Sequence, residues 1–222
     1  MADYTCATIV FAAKRALATA ASYAEGRWPG FGERRGSDEL VVGVIGASRI
    51  GRRVMAGLRG SDAGYRVLLH DPYVDAADAE RLGAELVGLD ELCRSSTVVT
   101  LHAPDLPETR GLLSAGRLAL VPDGGTVVNT ARGSLIDTEA LTLECATGRL
   151  DAFLDVTNPE PLPRGHPLLA LPNVLVTPHI AGGLRGARCV GSGPMRLRKR
   201  SAGCGGVAAA GKGESGELRR LA

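Results

Sequence analysis

The apolar run Leu40–Ile45 passes without a break into Gly46-Ala47-Ser48-Arg49-Ile50-Gly51, and helix-forming residues continue from Arg49 to Gly60. A Val-rich strand that turns on glycine straight into a helix constrains the fold more than any other feature of the chain. It sets the helix N-terminus, with its unpaired N–H groups, at the carboxyl edge of the strand. The alternation then repeats. Tyr65–His70 is a second strand closed by Asp71-Pro72, Asp75–Leu82 is helical, Glu85–Val87 is a short strand and Leu89–Cys93 a helical turn. Thr97–His102, Thr126–Asn129, Ala152–Val156 and Val174–Thr177 are further strands, with helices over Leu112–Leu118 and Thr138–Gly148.

These strands show little polar–apolar alternation, which is the pattern of parallel strands covered on both faces. The expected fold class is α/β, a Rossmann-type doubly wound parallel sheet, over residues 37–183. Residues 1–36 are expected to be a helix and linker. Thr5–Glu25 contains no Gly or Pro and reads as one helix, ending where Gly and Pro gather around Trp28. So apolar a helix has to pack on the α/β core or sit in an interface. Aromatic residues are only 4% of the chain, so the core must be built from Ala, Val, Leu and Ile.

The formal net charge of +2 hides an asymmetry. Residues 1–180 carry 17 Lys/Arg against 22 Asp/Glu, whereas residues 181–222 carry 9 against 2 and hold 11 of the 30 glycines. Residues 184–222 are therefore expected to be a Gly/Arg-rich tail, disordered or poorly packed. The tail has no aromatic residue and no recognised fold, so no specific nucleic-acid partner is expected. The five cysteines are widely spaced and read as ordinary thiols. The apolar run Thr5–Ala13 is too short to span a membrane, and its basic residues follow the run, the wrong order for a signal peptide. A cytoplasmic location with no membrane partner is expected by exclusion.

The loop Gly46 to Gly51 is close to a dinucleotide fingerprint, with Ser48 where the middle glycine would stand. Ser is small and can donate a hydrogen bond of its own. Asp71 follows Gly51 by 20 residues, at the end of the second strand, where a carboxylate accepts the hydrogen bonds of an adenosine ribose and repels a 2′-phosphate. NAD is thus favoured over NADP, with Arg52 and Arg53 on the solvated helix face. The bland alternative is that Asp71-Pro72 only ends a strand.

Hydride transfer from a hydroxyl-bearing carbon to a dinucleotide needs a base for the hydroxyl proton, and an anionic substrate would need a cation, preferably a planar fork. Arg132 follows the strand Thr126–Asn129, His179 follows Val174–Thr177, and Glu160 lies in the loop Asn158-Pro159-Glu160-Pro161. A carboxylate beside a histidine orients the ring and favours its proton-carrying form. From the residues alone a loop-edge histidine is as readily structural as catalytic. His70, His102 and His166 compete with His179. His102 lies near the cofactor side, His70 reads as local packing and His166 has no clear partner. No metal constellation is seen.

Taken in order, five motifs resemble the NAD-binding domain of the D-isomer-specific 2-hydroxy-acid dehydrogenases. They are Val42-Gly43-Val44-Ile45-Gly46 through Gly51 with Asp71-Pro72-Tyr73; His102-Ala103-Pro104 with Glu108-Thr109-Arg110-Gly111-Leu112; Val128-Asn129-Thr130-Ala131-Arg132-Gly133-Ser134; Leu154-Asp155-Val156 with Glu160-Pro161-Leu162; and His166-Pro167-Leu168 with Thr177-Pro178-His179-Ile180-Ala181-Gly182. The resemblance implies NAD as cofactor and a small 2-hydroxy acid or 2-oxo acid as substrate. It implies that Arg132 binds the substrate carboxylate, that His179 is the acid/base and that Glu160 is its charge partner. Gly46, Ser48, Arg49, Ile50, Gly51, Asp71, Pro104, Thr109, Thr130, Ala131 and Asp155 would line the cofactor, with Asp155 at the nicotinamide end. It also implies that the N-terminal helix is an interdomain helix contributing to a homodimer. Family members carry a substrate domain before that helix and a further helix after the last motif. The chain is therefore expected to be N-terminally truncated with an aberrant C-terminus. Two alternatives to an active enzyme follow: a nucleotide-binding remnant without turnover, and a non-enzymatic dimerising protein.

Overall fold

In a computed structural model, which describes residues 1–28 and 40–183, seven strands form one all-parallel sheet. The strands are β1 (Val41–Ile45), β2 (Arg66–His70), β3 (Glu85–Leu86), β4 (Val98–Leu101), β5 (Thr126–Asn129), β6 (Asp151–Leu154) and β7 (Val174–Val176). Their order is β3-β2-β1-β4-β5-β6-β7. The expected linker over 29–36 and the tail over 184–222 lie outside the described residues.

Strand periodicity divides the core cleanly. Val42, Val44, Val67, Leu69, Val98, Val128 and Phe153 face one side, while Ile45, Leu68, Val99, Leu101, Val127, Ala152 and Leu154 face the other, and all are buried. Helices α3 (Arg49–Arg59) and α4 (Ala76–Arg81) supply Val54, Met55, Leu58 and Ala79 to the first side. Helices α5 (Leu89–Ser95), α6 (Ala115–Leu118) and α7 (Thr138–Ala146) supply Leu92, Leu118 and Leu141 to the second. Because strand-to-strand crossovers are right-handed, the helices change faces when the order reverses between β3 and β4. The reversal opens a crevice at the carboxyl ends of β1 and β4.

The N-terminal segment corrects one expectation. Thr5–Glu25 is not one helix but two, α1 (Ala2–Ala13) and α2 (Ala16–Ala24), broken at Arg15, whose φ of 47° is left-handed. The break aims the guanidinium at the start of β6: Arg15 Nε and Nη2 donate to the two carboxylate oxygens of Asp151, each at 3.0 Å. The Asp151 hydrogen bond holds the Arg15 guanidinium above its ordinary pKa range. Helix α1 packs on the core, with Ile9 and Ala12 fully buried, while Val10 and Phe11 stay exposed. The helix expected over Leu112–Leu118 begins only at Ala115, since Leu113 bridges Ile136 in extended conformation.

The Asp151 side chain is only 2% exposed, so removing its partner strands a buried carboxylate. Arg15→Gln is expected to lower the unfolding free energy by about 2–3 kcal/mol, less than a fully buried pair because Arg15 keeps contact with water. Urea unfolding checks this as a lower midpoint at unchanged slope.

Candidate active site at the carboxyl edge of the sheet

At the end of β1 the chain turns on Gly46, whose φ is +99°. A Cβ there would stand 2.8 Å from the Ala103 backbone nitrogen, so glycine answers both the backbone conformation and the close pass of the loop after β4. Ser48 caps α3, its Oγ accepting from Gly51 N at 3.3 Å, and the hydroxyl hydrogen is left to donate elsewhere. Arg49 is exposed and Ile50 half-buried at the mouth of the crevice. Asp71 sits over this turn. Its Oδ2 accepts from Ala47 N at 2.7 Å and its Oδ1 from Tyr73 N at 2.9 Å, which fixes the carboxylate while leaving lone pairs for further donors. Arg52, on the exposed face of α3, ties back to the loop by donating from Nε to the Ala47 carbonyl at 2.9 Å.

Across the crevice, His102, Ala103 and Pro104 leave β4. Together with Ile50, Thr130, Ala131 and Arg132 they line an open cleft of about 500 Å³. His102 is 4% exposed and its Nε2 meets Thr100 Oγ1 at 3.0 Å; burial pushes its pKa down to about 4, so the ring is neutral at physiological pH. The Thr109 hydroxyl is turned inward, donating to the Pro104 carbonyl at 2.6 Å and accepting from Leu106 N at 2.9 Å, and so shapes the Pro104 loop. Thr130 is buried. Thr5 Oγ1 donates its single hydrogen to the Met1 carbonyl at 3.1 Å, so at the 2.9 Å contact with Thr5 it is Thr130 that donates.

After β5 the Asn129 side chain clamps the loop, donating to the Arg132 carbonyl at 2.8 Å and accepting from Ala131 N at 3.0 Å. Gly133 lies so tightly on the loop after β6 that a Cβ would fall 2.0 Å from the Thr157 carbonyl carbon. The Arg132 guanidinium is exposed, donates to the Ala131 carbonyl at 2.6 Å, and meets no carboxylate among the described residues. At the ends of β6 and β7, His179 Nδ1 lies 2.8 Å from Glu160 Oε1. An ionised carboxylate only accepts, so Nδ1 carries a proton and Nε2 is left for exchange with a bound molecule. Both side chains are more than two-fifths exposed. Asp155, in contrast, is buried, and its carboxylate accepts from Thr177 Oγ1, Ile180 N and Ala181 N at 2.6, 2.8 and 2.9 Å.

The fold thus joins Glu160 to His179 directly and brings Gly46, Ser48, Gly51 and Asp71 together at one turn. The Arg132 loop leaves β5 and the His179 loop leaves β7, two strand spacings or about 10 Å apart. Of the competing histidines, His70 Nδ1 donates to the Val87 carbonyl at 3.2 Å, and His166 Nδ1 accepts from Leu168 N at 3.3 Å. Both are occupied in local structure. Tyr4 and Thr5 also reach this edge, since α1 brings them against Thr177 and Thr130 at 2.8 and 2.9 Å. Nothing in a helix pattern marks a residue whose partner lies over a hundred positions away.

A parallel sheet with a glycine turn at its switch point, an acid after β2 and a histidine–carboxylate pair at the same edge is the arrangement of a nucleotide-binding α/β domain. The profile of the D-isomer specific 2-hydroxyacid dehydrogenase NAD-binding domain matches residues 6–181. A D-3-phosphoglycerate dehydrogenase of Archaeoglobus fulgidus is 38% identical over 193 residues, covering 84% of this chain and 36% of that protein. A glyoxylate reductase of Aeropyrum pernix is 34% identical over 198 residues, covering 84% and 58%. Among solved structures, the TT0316 protein from Thermus thermophilus superposes with a TM-score of 0.67 at 40% identity, covering 81% of this chain and 57% of that one. The chain belongs to the D-isomer specific 2-hydroxyacid dehydrogenase family and contains its NAD-binding domain. It spans between about a third and three-fifths of the length of these relatives.

His102 makes the domain sensitive to acid. Its folded-state pKa lies below the value near 6.5 of a free histidine, so the unfolded chain binds the extra proton first as pH falls. This contribution to stability is complete above pH ~6.5 and is lost on descent to pH ~4. In His102→Asn, the steepness of stability against pH in that window is expected to be reduced by about one proton, as measured by urea midpoints at stepped pH.

Proposed function

We propose that this chain is part of an NAD-dependent D-2-hydroxyacid dehydrogenase, catalysing reversible hydride transfer between a 2-hydroxy acid and NAD to give a 2-oxo acid. The observation that carries the reading is the 2.8 Å contact of His179 Nδ1 with Glu160, at the same sheet edge as the glycine turn. Residues 37–183 act as the cofactor domain. The backbone fits the group: Gly46 admits the tight turn, and the first N–H groups of α3, around Ser48, Arg49, Ile50 and Gly51, suit a pyrophosphate. Asp71, held by Ala47 and Tyr73, suits ribose hydroxyls and disfavours a 2′-phosphate. Pro104, Thr130 and Ala131 line the cleft, Thr109 shapes the Pro104 loop, and Asp155, in the opening it shares with Glu160 and His179, would stand at the nicotinamide end of the cofactor. When bound, NAD takes up or returns the hydride. Arg132, free of any carboxylate among the described residues, offers its fork to the substrate carboxylate. His179 Nε2 removes the hydroxyl proton in oxidation and returns it in reduction, while Glu160 accepts from Nδ1–H and keeps that tautomer in place.

The exposed Val10 and Phe11 of α1 support a homodimer contact on this helix. The free, buried thiols of Cys93 and Cys145 suit a reducing, cytoplasmic setting. A second reading is favoured by one observation: Arg132, Glu160 and His179 are all exposed. A water-filled cleft weakens electrostatic catalysis, and such a chain would bind NADH without turning over.

The test is a fluorescence titration with NADH, followed by NADH consumption with a panel of 2-oxo acids that includes glyoxylate. Binding with consumption supports the enzyme, and binding alone supports the second reading. No binding at millimolar NADH rejects both. His179→Gln is expected to keep NADH affinity within a few-fold and to lower turnover about 10²–10⁴-fold. Asp71→Ala is expected to narrow the preference for NADH over NADPH, read as the ratio of the two dissociation constants; an unchanged ratio removes Asp71 from cofactor selection.

A further inference from the structure

Asp151 opens β6 and Asp155 directly follows it, both buried, and α1 with its flanking residues serves both. Arg15 neutralises Asp151 at one end. At the other, the Tyr4 hydroxyl lies 2.8 Å from Thr177 Oγ1, which in turn donates to Asp155 Oδ1 at 2.6 Å. The direction of this chain is fixed. Thr177 has one hydroxyl hydrogen and spends it on the carboxylate, so Tyr4 must be the donor to Thr177.

The carboxylate at the end of the chain holds the segment that carries His179. His179 is one of only two non-glycine residues with positive φ among the described residues, at 54°. Its own N–H points to the Asp155 and Thr177 carbonyls at 2.9 and 3.0 Å. The next two N–H groups, of Ile180 and Ala181, both end on the Asp155 carboxylate. A side chain in the left-handed region persists only where its surroundings over-determine it. Here all three successive backbone donors terminate on Asp155 or Thr177.

We infer that Thr177 and Tyr4 are positioning residues for His179: they fix the Asp155 carboxylate, and the carboxylate fixes the left-handed turn that sets the imidazole against Glu160. The inference rests on the reading of His179 as the acid/base. It gives the N-terminal helix a part in the site beyond covering the sheet. It also means that Asp155 acts on the reaction from the protein side, through the turn.

The experiment compares the wild-type chain with Thr177→Val, Thr177→Ser, Tyr4→Phe and the Tyr4→Phe/Thr177→Val double variant by NMR. Two signals are followed: hydrogen exchange of the Ile180 and Ala181 amides, and the His179 Nδ1–H resonance. Thr177→Val is expected to speed exchange at both amides roughly tenfold, the loss of one hydrogen bond to a charged group, and to weaken the Nδ1–H resonance. Thr177→Ser restores both signals. Tyr4→Phe gives a smaller change of the same kind, and the double variant is no worse than Thr177→Val, because Tyr4 acts only through Thr177. Exchange at the Val127 and Val128 amides in the central sheet stays unchanged. The inference is overturned if Thr177→Val leaves the two amides unchanged, if Thr177→Ser is as damaging as Thr177→Val, if the single effects add, or if exchange rises evenly through the sheet. In chain that consumes NADH, Thr177→Val should also lower kcat at unchanged NADH affinity. In chain that does not, the proposed enzyme fails while the exchange data still decide the positioning role.

Discussion

The structure depends on a sheet whose strands are all parallel and whose central strands are buried on both faces. Parallel neighbours need a crossover each, and their common direction puts every strand's carboxyl end on one edge. Residues scattered from Gly46 to His179 therefore meet along a single line of loops. The reversal of order between β1 and β4 opens that line where the glycine turn lies. Nothing in the chemistry of Arg132, Glu160 or His179 draws them together; the strand order does.

Within that frame, each site loop is held by a short polar side chain at a strand end rather than by its own packing. Asn129 clamps the Arg132 loop, Asp71 clamps the glycine turn and Asp155 clamps the His179 turn. All three use side-chain oxygens to take backbone N–H groups that a turning chain cannot pair with itself. The groups offered to a ligand are left free by the same arrangement. Arg132 keeps its fork, Ser48 its hydroxyl hydrogen and His179 its Nε2.

Much of this was legible in the sequence. Buried parallel strands announce themselves as Val-rich runs, and the glycine turn and Asp71 carry a mechanism at fixed spacing. The five strand-end motifs, read in order, pointed to the family. The break at Arg15 was not legible, because propensity favours one helix over Thr5–Glu25 and the reason for the break is a carboxylate 136 residues away. The start of the short helix α6 is hidden for a similar reason: Leu113 pairs with Ile136 in the bridge that joins two loops. Glu160 and His179 were each visible as chemistry. Their 2.8 Å contact depends on how the β6 and β7 loops fold back, which no local pattern encodes.

Asp151 and Asp155 show why burial has to be read together with partners. One opens the apolar strand β6 and the other directly follows it, both are buried, and each would be costly there alone. Asp151 is balanced by a cation at the amino end of β6, where it secures the helix pair to the sheet. Asp155 has no cation against it among the described residues and is balanced by three hydrogen-bond donors. The same residue type, four positions apart, is thus paired with a cation where β6 starts and with three neutral donors just past its end, where the turn carrying His179 begins.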